Sequence, residues 1–575
     1  MFKRRRQPKP RYLGLLLLLA PVAGMIALQA TAPWTSYQMA NLGTGVCGGI
    51  ALLGLIVWWF RFFSSWGWFR LAPLGFLLAA ALLTFIFLEP IGVTGELLPQ
   101  FRLRFAAPPS LPTSSSAPDS TGNLRWQLTL PSEAYPGFLG AQRNGVISPR
   151  AFPLDWNAQP PRMVWKHPLG AGLAGISAGL AVGTGEEGTG ASTRWLLYTL
   201  EQRDQEEWVS CYDAADGKLV WHHSYPSYHT HILGDTGPRS TPSIDSSGRI
   251  FAQGATGIIS CLDGLTGELR WQVDLKTLAG ITQTTSERYV LWGRAASPLL
   301  IEDLVVLPLG GDSASEQGSK TLVALEADSG KVRWTSGKHQ ISYASPVVGT
   351  LGGVRQIVSI DEDFASGTAI EDGRVLWTHP WPGKSNTGAN CSNPVIYGDD
   401  RVLLSKEYGG GAEMIRIRLK GDAFGTEVVW KDNRVLKTKF TNVVVRGSFG
   451  YALSNGTLEC VDLESGDVRW RQPRRTRFGH GHVLLVDDVL LCTSEEGEVA
   501  VVRAEPTGYE ELGRFSAVEG KTWNPMAVIG SRLVVRNGVE ISLWEFPPPT
   551  SITTNLGASS TPVARASQTA PHTAD

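Results

Sequence analysis

The chain has 575 residues, with 64 glycines, 35 prolines and 20 tryptophans, only 18% charged residues and a net charge of −1. That length exceeds one ordinary domain, and the composition favours many short strands and tight turns over long solvated helices. A near-neutral chain has no global electrostatic footprint for nucleic acid. Its six cysteines form no CxxC or CxxCH pattern, which excludes a zinc signature and a covalently attached haem.

Three apolar runs come first, at about 12–30, 44–60 and 71–88, each approaching the about 17–25 residues of a bilayer span. Lys3, Arg4, Arg5, Arg6, Lys9 and Arg11 precede the first run, and Arg61 and Arg70 separate the second from the third. The loop 31–43 carries no charge. An excess of basic residues marks the cytoplasmic side, so everything after Leu88 is expected outside. A cleaved signal peptide ending near Ala30-Thr31-Ala32 is the alternative for the first run, and it leaves that orientation unchanged. Trp34, Trp58, Trp59, Trp66 and Trp68 suit the bilayer interface. Residues 1–90 are therefore expected to form a membrane anchor with three transmembrane helices. A disordered linker is expected over 91–121, rich in Pro, Ser and Ala from 106, and a disordered tail over 547–575.

Residues 122–546 are periodic. The segments Cys211–Trp221, Cys261–Trp271 and Cys460–Trp470 repeat one pattern, and variants of it end at Trp334 and Trp377. Gly217, Gly267, Gly330, Gly373 and Gly466 each stand four residues before the tryptophan. Degenerate copies end at Trp165, Trp430 and Phe515, so eight aromatic anchors recur every 40 to 63 residues, a propeller-blade period. The Asp-x-x-x-Gly turn supplies a positive-φ corner, and the alternating stretch behind it reads as an outer strand with one buried face. Pro242, Pro298, Pro346, Pro394 and Pro525 each introduce an apolar run, the expected innermost strand, where a missing amide donor is tolerated. The runs 532–536 and 540–544 lack an anchor of their own and are expected to complete the sheet of Trp165. The predicted fold is thus all-β: an eight-bladed β-propeller of four-stranded, Trp-docking blades, preceded by three transmembrane α-helices.

On these motifs, over roughly 136–546, the chain resembles the pyrrolo-quinoline-quinone-like (PQQ-like) propeller repeat proteins. That family spans quinoprotein dehydrogenases and the non-enzymatic propeller lipoprotein of the outer-membrane barrel assembly machine, so the resemblance implies a fold and leaves function open. Taken with the three apolar runs and their basic flanks, it leads to the expectation of a bacterial inner-membrane, multi-pass protein with its propeller on the periplasmic side. It also implies that loops entering the inner strands ring one mouth of the central channel. The residues three or four positions before each inner-strand proline or its equivalent are Arg239, Arg294, Tyr343, Asn390, Lys439, His480 and Lys521. Five of these seven are basic or can become so, which would suit an anionic ligand such as a tricarboxylate quinone, an acidic polysaccharide or a phosphate-bearing partner. The plain alternative is a set of ordinary polar loops.

Other candidates are weaker. His229 and His231 lack a third metal ligand, and Asp361-Glu362-Asp363 reads as a solvated hairpin tip. Cys211, Cys261 and Cys460 share one repeat position, taken by Ala324 and Ala369 elsewhere, and read as packing groups. The expected function is a non-catalytic envelope scaffold that binds a partner protein or an anionic ligand, with the membrane as its other partner. The alternative is a PQQ-dependent, membrane-bound dehydrogenase oxidising alcohols or sugars, which would need PQQ and Ca²⁺. The chain lacks the adjacent cysteines of the alcohol-oxidising branch, and no catalytic residue or calcium set can be nominated. An extracellular sensor is a third reading, and it would require a cytoplasmic partner.

Overall fold

The computed structural model describes residues 12–32, 36–62, 67–105, 111–112, 125–184, 192–315, 318–384, 388–421 and 423–548. The basic start, Trp34, Trp66, the tail from 549 and all of the 106–121 spacer except 111 and 112 lie outside these residues.

Eight antiparallel sheets form the propeller among the described residues. We number the blades in chain order, so that blade 1 bears Trp221, blade 7 Phe515 and blade 8 Trp165. Blade 2 shows the plan: Ser243–Ile244 innermost, then Arg249–Gln253, Ile258–Asp263 and the Trp271-bearing Leu269–Asp274 outermost. Inner strands Leu299–Ile301, Val347–Leu351 and Val395–Tyr397 likewise start directly after their prolines. The innermost edge has no ladder partner there, so a residue without an amide donor loses nothing. Blade 1 carries an added strand, Arg125–Thr129, and blade 7 gains the parallel Val146–Ile147.

Blade 8 closes the ring. Ala527–Ile529, Arg532–Arg536 and Glu540–Glu545 come from the C-terminal end, and Arg162–Pro168 comes from nearly 400 residues earlier. The seam between blades 8 and 1 is fastened by Arg536, whose side chain is fully buried. Its guanidinium donates to Thr199 Oγ1 at 2.5 Å, Leu200 O at 3.0 Å and Gly172 O at 3.1 Å. Beside it Glu201, also fully buried, pairs with Arg203 at 2.8 Å and accepts from the Tyr212 hydroxyl at 2.5 Å.

Blades are joined through the tryptophans. Trp165, Trp221, Trp271, Trp334, Trp430 and Trp470 each donate Nε1 to a carbonyl in the following blade's outer turn, at 2.7 to 3.1 Å. The turn glycine of that next blade lies on the arriving ring: a Cβ on Gly267 (φ +75°) would stand 2.6 Å from Trp221 Cδ2. Glycine is thus required there twice, for its backbone and for the neighbour. Trp377 instead donates to Gln356 Oε1 of its own blade at 2.6 Å, because blade 5 replaces the short turn with the long ribbon Gly411–Lys420 and Ala423–Asp432. Phe515 has no donor and packs on Trp156 and Trp544, with centroids at 5.5 and 4.5 Å. Cys211, Cys261 and Cys460 are fully buried in these interfaces, and burial pushes the Cys261 and Cys460 thiols up to about 12.

Three helices precede the propeller: α1 (Tyr12–Thr31), α2 (Tyr37–Phe62) and α3 (Ala72–Phe87). Among the described residues one helix, Tyr37–Phe60, is long and apolar enough to cross a membrane; Leu19–Thr31 and Ala72–Phe87 are apolar but shorter. Gln29 of α1 bonds Asn41 and Thr44 of α2, each at 3.0 Å.

Two expectations are corrected. The stretch expected as linker from residue 91 is folded at its start, where Leu88–Val93 and Pro99–Leu103 form an antiparallel hairpin. The Pro, Ser and Ala composition that suggests a linker begins only at 106; Pro90 and Pro99 fit the ribbon because its outer edges need no donors, and Gly92 sits at a bulge. Asp361 is no solvated tip. It is 2% exposed, caps the amides of Asp363 and Phe364 at 2.8 and 2.7 Å, and burial raises its carboxyl to about 6.

Candidate binding site at the channel mouth

Segments of the chain itself lie across both ends of the central channel. On the far side, residues 135–147 cross from blade 1, where Tyr135 pairs with Ala178, to blade 7, where Val146 and Ile147 pair with Leu485 and Val486. Midway, Arg143 clamps the inner strands by donating to Ser297 O at 3.0 Å, Pro298 O at 2.8 Å and Pro346 O at 3.2 Å. At the mouth, the tip of the 88–103 hairpin is the stopper. Between the two lies a cavity of about 300 Å³ with Trp292, Tyr343, Tyr408, Phe440 and Trp523 in its wall.

Contacts around the tip define the mouth. Lys439 Nζ donates to Gly95 O, and Lys521 Nζ donates to Val93 O at 3.0 Å and Asp235 Oδ1 at 2.6 Å. Glu495 Oε1 accepts the Gly95 amide and the Trp523 indole N–H, the latter at 2.9 Å. Arg477 pairs with Glu96 at 2.5 Å. From the helical side, Gln38 donates to Gly95 O and Asn41 to Glu96 O, both at 3.0 Å, and Arg477 lies 3.7 Å over the Tyr37 ring.

The seven residues proposed from sequence divide into three groups. Arg239, Tyr343 and Lys439 line the cavity. His480 and Lys521 lie against the hairpin tip. Arg294 and Asn390 turn into the walls, where Arg294 donates to Leu309 O at 2.9 Å and Asn390 to Asp361 O at 2.9 Å and Trp381 O at 3.1 Å. The cations that do converge are mostly matched. Glu407 stands 3.5 Å from Lys439, and Asp235 bonds Lys521. Burial pushes His480 well below its ordinary value, which keeps it neutral. Arg239 donates to Trp292 O and Gly234 O, and although burial lowers it to about 10 it stays charged at neutral pH. Sequence reasoning missed Glu407, Glu495, Asp235, Arg477 and the tip itself, because none of them recurs with the blade period.

A tricarboxylate quinone with Ca²⁺ does not fit these residues. Its carboxylates would need free cations, whereas Lys439 and Lys521 already hold main-chain carbonyls and carboxylates. Among the described residues no three His, Cys, Asp or Glu side chains gather as cation ligands, and more of the cavity's lining residues are apolar or aromatic than polar.

Fold and repeat together define an eight-bladed β-propeller with Trp-docked blades that resembles the PQQ-like repeat proteins. A family model described as outer membrane protein assembly factor BamB matches residues 205–472, which bears out the resemblance drawn from the Gly–Trp motifs. The outer membrane protein assembly factor BamB of Yersinia pestis is 24% identical over 267 residues, 44% of this chain. The match spans 63% of that relative, less than two thirds of its length. Among solved structures, BamB from Moraxella catarrhalis aligns at 14% identity over 67% of this chain and all of its own, with a TM-score of 0.45. A europium-containing methanol dehydrogenase aligns at 10% identity over 72% of this chain and 98% of its own, with a TM-score of 0.40.

Proposed function

We propose that this protein is a non-catalytic scaffold of the bacterial cell envelope. Three helices anchor it in the inner membrane, and its periplasmic propeller presents the channel mouth to a protein partner or anionic ligand. One observation carries the reading: Lys439, Lys521, Arg477 and Glu495 are all engaged in holding polypeptide, the 93–97 turn, rather than arranged around a reacting atom. The assembly role carried in the name of the 24% identical relative supports the same reading. So does an exposed apolar rim at the mouth, Tyr228, Ile232 and Leu233, the last of which also lines the cavity. Support for the three-span anchor comes from the apolar composition of α1 and α3, with no residue of α3 buried, and from the basic residues that flank the runs.

The test is photo-crosslinking in intact cells from Tyr228 and Ile232 at the mouth, with Asp328 in an outer turn as control. Mouth-specific adducts with an envelope protein are expected. The reading is overturned if the mouth captures no protein while the full chain binds PQQ stoichiometrically with Ca²⁺ and reduces dye on addition of alcohols or sugars.

A further inference from the structure

We infer that the channel mouth is a receptor for a tight turn in which glycine is followed by an acidic residue, and that the turn at Thr94–Leu97 holds this place in cis until a partner protein's turn replaces it. This rests on the scaffold reading and names the partner chemistry of the same site.

The cis contacts spell out the recognition. Three of them read only main chain: Lys439 on Gly95 O, Lys521 on Val93 O, and Glu495 on the Gly95 amide. They would grip any chain of the same turn geometry, which is set here by Leu97 N to Thr94 O and Thr94 N to Leu98 O, both 2.9 Å. Two contacts read sequence. A Cβ at Gly95 would stand 2.1 Å from His480 Cδ2, so only glycine fits, and Glu96 meets the Arg477 guanidinium.

Two further observations mark the cis turn as a replaceable occupant. First, it leaves the site incompletely filled. The 300 Å³ cavity lies directly beneath it, and among the described residues Trp292 Nε1 and His480 Nε2 are buried without a hydrogen-bond partner. A partner turn with longer flanking side chains could reach that space. Second, the tip is also held by Gln38 and Asn41 of α2, so its seating depends on the position of a helix outside the propeller. A shift of α2 would withdraw the tip and open the mouth.

The probe is a fluorescent, end-to-end cyclised peptide of residues 88–103, titrated into the full-length protein in nanodiscs. A short tether keeps the cis turn at an effective concentration of order mM, so expelling it should tighten peptide binding about 100-fold. Gly95→Val expels the tip by clash with His480 and Glu96→Arg by repulsion from Arg477; both chains are expected to bind the peptide about 100-fold more tightly than the unaltered chain. A peptide carrying Glu96→Lys should fail to bind either. Near-ultraviolet circular dichroism checks each fold, and Glu96→Arg decides alone if Gly95→Val misfolds. Equal affinity for unaltered and opened chains, or equal binding of the Glu96→Lys peptide, overturns the inference. Failure here with mouth cross-links intact discards the turn code and keeps the scaffold, whereas peptide binding without cellular cross-links does the reverse.

Discussion

The blade 8–blade 1 seam and the channel mouth use one chemistry for opposite ends. In both, basic side chains donate to main-chain carbonyls of a distant segment, Arg536 to Leu200 and Gly172 at the seam, and Lys439 and Lys521 to Gly95 and Val93 at the mouth. They differ in access to water. Arg536 and Glu201 are both fully buried; at the mouth Lys439 is buried too, but Glu96, Arg477 and Lys521 around it are only partly so. A buried cation whose acceptors are removed has nowhere to turn, but water can take over the groups of a half-open pair. The same hydrogen bonds therefore make a permanent fastening in one place and an exchangeable one in the other.

The strongest break in that comparison is Arg536→Ala. It strips Leu200 O, Gly172 O and Thr199 Oγ1 of their buried donor, removes a charge that favours the Glu201 carboxylate, and should cost about 3–5 kcal/mol, read as a lowered denaturant midpoint of the full chain. A loss below about 1 kcal/mol would show that the seam is held by packing alone.

Acid should act on the cavity and spare the seam. His482 lines the cavity, donates Nε2–H to Trp523 O at 2.8 Å, and burial lowers it from 6.5 to about 4. Its stabilising contribution is whole above pH 6.5 and is lost as pH falls toward 4, amounting to about 2 kcal/mol between pH 6.5 and 5. His482→Gln keeps a donor and should flatten that part of the stability profile. An unchanged slope would mean that His482 is solvated.

Smallest in stability, and sharpest as a contrast with the seam, is Glu96→Gln. Gln keeps an acceptor for Arg477 in this partly buried pair, so the loss should stay near about 1 kcal/mol and the melt should barely move. Limited proteolysis within 88–103 should nevertheless rise several-fold, since the tip opens locally without unfolding a blade. If cleavage there stays at the unaltered rate, Glu96 is not part of the latch.

Much of the fold is legible in the repeat, and the candidate site is legible only in part. Gly267 four residues before Trp271 announces a turn and an outer strand because both are local, and Pro298 announces the inner strand Leu299–Ile301 for the same reason. Position in the repeat brought Arg239, Tyr343 and Lys439 to the cavity, yet the same offset chose Arg294 and Asn390, whose side chains turn into the walls. A loop position specifies where a residue sits along the ring, while its rotamer is chosen by whichever carbonyls the neighbouring blade offers.

Blade number and strand order were settled by the chain's own periodicity, since each depends on short spacings that recur along the chain, and ring closure was legible only because the last runs, 532–536 and 540–544, have no anchor of their own. Tertiary structure alone decided that Trp221 rests on the glycine of the next blade rather than its own, and that the mouth's cations meet a turn lying far away in the chain. Lys439 and Gly95 are 344 residues apart, Glu495 and Gly95 are 400, and Lys521 and Val93 are 428. Contacts across such separations leave no period in a sequence, because nothing local is shared by the two segments that make them.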